Sequence, residues 1–292
     1  MNRLAGDAYR SPSANRAVRW LENRLLAGDQ SWWTGRRPLY TRVVAGVPRA
    51  LYLNFAARKS YAASLSPELF HPLDLPGDDS RTLFTILLFS LEDARPLWMP
   101  RAFGAFAPRM MQSNWRFYGD LREGGGEWRS GVLFVRTVTT SWTLSLFGRR
   151  LARCFPLRRA RRMTLVCGPG QVTAAIDPGG GSAPELKFEG VPAEAAETGD
   201  LCGRFDSYDS YARWIIDQHL SLVIWPREYV VQDMHLDFAG ATITPLRCLT
   251  WRVAELKNFI SDERPMDAFL VEGLTVFLDR IYSVTTSGTG KR

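Results

Sequence analysis

The segment Gln112-Ser113-Asn114-Trp115-Arg116-Phe117-Tyr118 carries the densest set of groups able to do chemistry. An extended strand alternates its faces, so Gln112, Asn114, Arg116 and Tyr118 fall on one side and Trp115 and Phe117 on the other. A guanidinium stays charged at any relevant pH and offers a planar fork of donors. Beside an amide and a phenol it can hold the oxygen pair of a carboxylate or the oxygen of a carbonyl. Arg116, Tyr118 and Asn114 are therefore the candidate catalytic groups. Gln112, Arg116, Trp115, Phe134, Arg136 and His235 are the candidate ligand contacts. On an ordinary exterior strand the aromatic face would be core and the polar face solvent. A barrel has two sides, however, and there the polar row lines the lumen against an outer apolar layer; this is the reading adopted. A buried Arg116 needs a compensating charge, from a ligand or from a carboxylate elsewhere. Glu92 and Asp93 are the nearest candidates in sequence.

Asp233, His235 and Asp237 form a second polar row, able to hold a divalent metal or to pair as acid and base near neutral pH. Positions two apart on a strand lie about 7 Å apart at Cα, so three ligands from one strand would need it bent. An exposed strand face is the preferred reading, and no metal is expected. Arg149 to Arg162 contains seven arginines and no acidic residue, enough to meet phosphate, an anionic membrane surface or an acidic carrier protein. It lacks interleaved aromatics apart from Phe155 and carries no nucleic-acid motif, so a solvated surface segment is preferred, an anionic protein partner comes second, and no nucleic acid is expected. The glycine clusters 124–126 and 179–181 lack the spacing of a phosphate cradle and read as turns. There is no nucleophile elbow, and His71, His219 and His235 offer little for a triad. No cofactor is expected.

Alternating or continuous apolar runs predict strands at Leu51 to Phe55, Arg81 to Leu91, Met111 to Tyr118 and Gly131 to Leu146, the last two as a hairpin. Further strands are expected at Arg162 to Cys167, Gln171 to Ile176, Pro184 to Phe188 and Glu228 to Phe238. Helical spacing marks the stretch around Ala17 to Leu26, one or two turns at Ser60 to Leu65, and Tyr208 to Ile215. Trp251 to Ile260 and Ala268 to Tyr282 have mixed character. Many strands joined by short turns argue for a β-rich α+β fold, one mixed sheet curling into a barrel or sandwich. The expected organisation is an N-terminal arm with a short helix over 1–39, one barrel-like domain over 40–283, and a disordered tail over 284–292.

With 292 residues, 46% of them hydrophobic and 12% aromatic, the chain can build a sizeable core. The net charge of +7 comes almost wholly from arginine, since lysine occurs only at Lys59, Lys187, Lys257 and Lys291. Cys154, Cys167, Cys202 and Cys248 are widely spaced without a zinc-like pattern, and no segment has the length or apolarity of a signal or membrane span. A reduced, cytoplasmic protein is expected, with no membrane insertion and a homo-oligomer left open.

Asn114-x-Arg116-x-Tyr118, the glycine-bounded turn after it, Gly131 to Val135 and the Arg153 to Pro156 segment together resemble the uncharacterised bacterial branch of the acetoacetate decarboxylase superfamily. Upstream, Leu51-Tyr52-Leu53-Asn54-Phe55 and Leu65-Ser66-Pro67-Glu68-Leu69 resemble the opening strand and helix end of those proteins. The resemblance spans roughly residues 45–240 and implies a β-barrel or cone with a central cavity. The family's decarboxylase works through a barrel lysine whose pKa is depressed by desolvation and an adjacent cation, so that its neutral amine forms a Schiff base. Here no lysine lies between Lys59 and Lys187, and Lys187 shares its strand face with Glu185 and Glu189. Flanking carboxylates raise an amine's pKa, so lysine-dependent decarboxylation is not expected.

Two functions fit. One is a lyase or cyclase of small-molecule metabolism that handles an apolar, carbonyl- or carboxylate-bearing substrate by shape and electrostatic preorganisation. The other is a non-catalytic binding or accessory protein using the same pocket.

Overall fold

The computed structural model describes residues 9–26, 42–66, 68–104, 109–122, 126–146, 157–194, 205–225, 228–254, 256, 260 and 264–284. Thirteen strands dominate these residues. They are β1 (Val43–Arg58), β2 (Phe70–Pro72), β3 (Arg81–Pro96), β4 (Met110–Arg122), β5 (Trp128–Thr139), β6 (Leu157–Arg159), β7 (Arg162–Gly168), β8 (Gln171–Asp177), β9 (Leu186–Pro192), β10 (Leu220–Trp225), β11 (Glu228–Asp237), β12 (Thr242–Val253) and β13 (Asp267–Val284). The helices are short: α1 (Arg16–Leu26), α2 (Lys59–Leu65), α3 (Arg101–Gly104), α4 (Trp142–Leu146) and α5 (Tyr208–Ile216).

The hydrogen-bonded pairings run β1–β3–β4–β5–β10–β11–β13, and β13 pairs back onto β1. Seven strands thus close on themselves, which leaves the long β1 and β3 without an open edge. Beyond β13 the sheet continues as a wing, β12–β9–β8–β7. Alternation then gives the sheet two separate cores. Ala50, Tyr52, Leu87, Phe89, Tyr118, Val132, Phe134 and Val271 pack inside the ring. Leu51, Leu53, Phe84, Ile86, Trp115, Phe117 and Leu133 pack outside it, against Met163, Val172, Ile176 and Phe188 of the wing. This is why β4 is buried on both faces over Gln112 to Gly119.

Alternation is broken at defined places, and each break decides what faces inward. Pro48 stands opposite Gly273, the one residue of β13 with a left-handed φ, +83°. The paired kink lets Val47 and Ala50 of β1, and Leu274 and Val271 of β13, all join the inner core. Between β4 and β5 the register passes from Trp115↔Arg136 to Arg116↔Phe134, leaving Val135 as the extra residue of a bulge.

One end of the ring is plugged by α5, whose Tyr211, Ala212, Ile215 and Ile216 belong to the inner core. Ser207 caps it by accepting from the Ser210 N–H at 3.1 Å. The N-terminal helix α1 docks through Glu22, which is buried, accepts from Ser11 and pairs with Arg159.

Two expectations about elements need correcting. The expected strand Gly131 to Leu146 ends at Thr139, and the chain turns into α4, where Ser141 accepts from the Leu144 N–H at 3.1 Å. The Ser-x-x cap offers the backbone a better partner than a further strand would. The mixed stretch Ala268 to Tyr282 is one long strand, its period-2 pattern obscured by the parity change at Gly273. Arg153 to Pro156, Pro67, the glycines 124–125 and the tail from Thr285 lie outside the described residues.

Candidate active site

Inside the ring lies a cavity of about 220 Å³. Its wall is mostly aliphatic: Val43, Ala45 and Val47 of β1, Leu87, Leu91 and Ala94 of β3, Met234 and Leu236 of β11, and Leu274, Val276 and Leu278 of β13. Gln112, Asn114 and Arg116 supply a polar row along β4, with Tyr52 and Phe134 beside them.

Arg116 is the charged group of this cavity and is 3% exposed. Its Nε donates to the Tyr118 hydroxyl at 3.0 Å and its Nη2 to the Ile215 carbonyl at 3.3 Å. The guanidinium lies 5.6 Å from the Tyr52 ring centre and 5.2 Å from that of Tyr118, within cation–π range. Ile215 sits in the last turn of α5, where backbone carbonyls lack helical partners and carry the negative end of the helix dipole. Among the described residues no carboxylate pairs with Arg116. Glu92 instead pairs with the exposed Arg109 on the outside, and Asp93 occupies a kink with φ +52°, so neither supplies the expected counter-charge.

Burial disfavours the charged form of every titrating group here, raising the phenols and opposing the charge of the guanidinium. Desolvation raises the Tyr52 and Tyr118 phenols above their usual range, against the pull of Arg116, so both remain neutral donors near neutral pH. Arg116 is held charged by the same two phenols despite its burial. The cavity thus presents one fixed cation, neutral hydroxyls and amides, and apolar walls. It can fix an oxyanion and stabilise charge developing on it. Among the described residues that line it, none is a lysine, cysteine, serine, histidine or carboxylate.

A polar layer continues below Arg116 across neighbouring strands. Register places Arg116 beside Thr85, Thr85 beside Asn54, and Asn54 beside Asp267. Thr85 Oγ1 donates to Asn54 Oδ1 at 2.6 Å, and Asn54 Nδ2 donates to Asp267 Oδ2 at 3.0 Å. The Tyr208 hydroxyl donates to Asp267 Oδ1 at 3.0 Å.

The sequence-derived residues divide cleanly. Gln112, Asn114, Arg116 and Phe134 meet at the cavity, with Gln112 Nε2 donating to Asn114 Oδ1 at 3.0 Å. Tyr118 lies behind Arg116 and orients it. Trp115 does not reach the cavity. It belongs to the outer core, edge-on to Phe84 at 6.3 Å, with its indole N–H donating to Ser113. Arg136 is also displaced: the bulge at Val135 sets it beside Trp115, over whose ring its guanidinium lies at 5.9 Å. His235 is on the exposed face of β11, stacked on His219 at 6.4 Å, because Met234 and Leu236 take the inward positions. Asp233 and Asp237 share that outer face, and among the described residues no group of three potential ligands is close enough to hold a metal.

The described part of the basic segment is largely spent within the fold. Arg158 donates to the Ser182 carbonyl at 2.9 Å, Arg159 pairs with Glu22, and Arg161 pairs with Asp177. Lys59 pairs with Asp74, and Lys187 lies 3.4 Å from Glu185 on the surface of the wing. Sequence reasoning missed Tyr52, Thr85, Asn54 and Asp267, which reach the site only through strand register. It missed α5's carbonyl as well, which no residue type announces. No helix of the described residues is long and apolar enough to cross a membrane.

No protein-family model matches the sequence, and no curated protein matches it. Solved structures do match the fold. Acetoacetate decarboxylase from Legionella pneumophila subsp. pneumophila str. Philadelphia 1 superposes with a TM-score of 0.54 at 10% identity, covering 94% of this chain and 98% of that one. An acetoacetate decarboxylase-like enzyme from Sphingomonas wittichii RW1 gives 0.51 at 10% identity, covering 84% and 94%. The enduracididine biosynthesis enzyme MppR complexed with pyruvate gives 0.53 at 8% identity, covering 89% and 99%. By these superpositions the chain has the acetoacetate decarboxylase-like fold.

Proposed function

We propose that this protein is an enzyme of the acetoacetate decarboxylase-like superfamily, a lyase or cyclase that binds a small carboxylate- or carbonyl-bearing substrate with an apolar body inside its β-barrel. The observation that carries this reading is a buried guanidinium, with no carboxylate paired to it among the described residues, facing an aliphatic cavity. Such a charge is costly unless an anion completes it. About 220 Å³ lies below the roughly 300–1,000 Å³ of drug-sized pockets, which favours a short substrate over a long chain. Arg116 anchors the oxygen pair, Tyr118 fixes the guanidinium, and Asn114 and Gln112 orient the adjoining polar atom. With no lysine or other nucleophile lining the cavity among the described residues, rate enhancement rests on orientation and on stabilising an enolate-like or carboxylate charge.

The test is to incubate the purified protein with acetoacetate, and with pyruvate plus an aromatic aldehyde, and to follow both mixtures by NMR. Carbon–carbon cleavage or formation that disappears in Arg116→Met supports the enzyme. Binding without turnover supports the alternative, a non-catalytic carboxylate-binding or accessory protein. Absence of both binding and turnover overturns the reading.

A further inference from the structure

Along β4 the polar side chains of the cavity come in order of depth. Arg116 is innermost, against the Ile215 carbonyl of α5; Asn114 is next, then Gln112, and Met110 stands at the end away from α5. Asn114 is 7% exposed and lines the cavity. Its Oδ1 accepts from Gln112 Nε2 at 3.0 Å, and among the described residues nothing accepts from its Nδ2. A planar amide sends its oxygen and its N–H groups in opposite directions. With the oxygen turned to Gln112, the N–H groups face the space between Asn114 and Arg116.

Across the sheet Asn114 stands between Leu87 of β3 and Thr137 of β5. Leu87 belongs to the aliphatic wall, and Thr137 is fully buried with a hydroxyl that no group among the described residues engages. Cross-strand partners share a face, so both lie at the level of Asn114. This level of the ring therefore holds hydrogen-bonding capacity that the fold itself leaves unused. Arg116 differs, since its Nε and Nη2 are already committed to Tyr118 and Ile215.

We infer that the N–H groups of Asn114 form a second recognition point of the cavity, selecting carboxylates that carry an uncharged carbonyl-type oxygen about three carbons beyond the carboxyl group. The inference rests on the proposal that Arg116 anchors the carboxylate, and it names the other functional group of the substrate. Residues two apart on a strand lie about 7 Å apart, so a ligand lying along β4 with its carboxylate on Arg116 meets Asn114 about that far along its chain. A spacer of about three carbons spans the gap. A 2-oxo or 3-oxo acid keeps both polar groups at Arg116 and leaves Asn114 facing hydrocarbon. An acid with no second oxygen also strips water from the Asn114 amide without replacing the lost hydrogen bond. A ketone, ester or amide oxygen at the right place restores it. An ammonium there would set N–H against N–H. Asn114 is thus a specificity-determining residue, and Gln112 sets its orientation.

The experiment is isothermal titration of the intact chain near neutral pH, where each acid probe is ionised. The probes are 5-oxohexanoate, 5-methylhexanoate, in which a methyl group replaces the keto oxygen, and 2-oxohexanoate, in which the oxygen is moved. Hexanoate against hexanol checks the anchor itself. Wild type should bind 5-oxohexanoate at least about fivefold tighter than either of the other two branched or oxo acids. Asn114→Leu, close in volume and unable to donate, should lose that preference and bind hexanoate at least as tightly as wild type does. A merely structural Asn114 would instead weaken all the acids together. That uniform loss, a preference retained in Asn114→Leu, or a wild type without the preference overturns the inference and leaves the Arg116 anchor standing. A wild type that does not favour hexanoate over hexanol removes the anchor and the inference together. Should Asn114→Leu not fold, the wild-type ranking of 5-oxohexanoate against 5-methylhexanoate and 2-oxohexanoate decides alone.

Discussion

Replacing Arg116 by methionine separates a residue kept for its ligand from one kept for the fold. Methionine spans a similar length and has no charge to desolvate. The substitution removes two charge-assisted hydrogen bonds, to Tyr118 at 3.0 Å and to Ile215 at 3.3 Å. The Ile215 carbonyl is not orphaned, because the Tyr118 hydroxyl also donates to it at 3.2 Å. A hydrogen bond to a charged group contributes about 1.5–3 kcal/mol, so the loss is near the low end of twice that figure. Against it stands the desolvation of a guanidinium lacking a paired carboxylate, which costs several kcal/mol. The balance favours the variant by about 1 kcal/mol, or a rise of about 2–4 °C in Tm for a domain of this size. For ligand the sign reverses. A carboxylate at contact distance from a charge gains about 4 kcal/mol at an effective dielectric of 20 before its own desolvation is subtracted. A net loss of at least about 1.4 kcal/mol, tenfold in Kd, is expected for hexanoate, with hexanol affinity unchanged. Differential scanning calorimetry and titration on the same preparation read both quantities. An unfolded Arg116→Met, or unchanged hexanoate affinity in a folded one, would show that the residue serves the scaffold.

Borohydride reduction in the presence of acetoacetate should leave no adduct on Lys59 or Lys187, since both are surface residues paired with carboxylates; a mass increase mapped to Lys187 would restore a Schiff-base mechanism. Arg136→Met and His235→Ala should leave hexanoate affinity within about twofold of wild type, because their side chains lie outside the ring; a tenfold loss in either would reinstate it at the site. Asp267 is raised on folding, so its stabilising contribution is present below the unfolded carboxylate pKa and is lost as pH rises through the folded one. Asp267→Asn should accordingly raise Tm more at pH 8 than at pH 4, and an equal change at both would refute that titration. A Cβ on Gly119 would lie 2.1 Å from the His71 carbonyl oxygen, so Gly119→Ala should detach β2 from β4 and cost more than about 2 kcal/mol in a urea melt; a neutral result would refute the close approach.

What the sequence conveyed was local. The alternation in Gln112 to Tyr118 correctly grouped Gln112, Asn114 and Arg116 on one face, and the fold class followed from the density of short strands. Errors arose wherever the period of two was interrupted. Phe134 and Arg136 are two apart and both stand among the expected ligand contacts, but the bulge at Val135 separates them. Gly273 similarly disguised β13, and with it Asp267, a single acid before an apolar run with nothing around it in sequence to suggest a site. Trp115, expected as a ligand contact, packs in the outer core on the face where the alternation itself puts it. The existence of a second core, between ring and wing, depends on β7–β9 folding over β4, a contact some 50 residues distant that no local pattern records.

The plug formed by α5 makes the cavity a cul-de-sac. Among the described residues, the wall at the other end of the ring is an aliphatic collar of Val43, Met110 and Leu278, past which whatever settles against Arg116 arrives and departs. For a reaction that joins two reactants, the deeper one is then obliged to enter first, and no second reactant can overtake it. For a reaction that splits one molecule, the outer fragment leaves first and the fragment on Arg116 stays until the way is clear. Steady-state kinetics should therefore be strictly ordered, with the anion-bearing fragment alone acting as a competitive inhibitor.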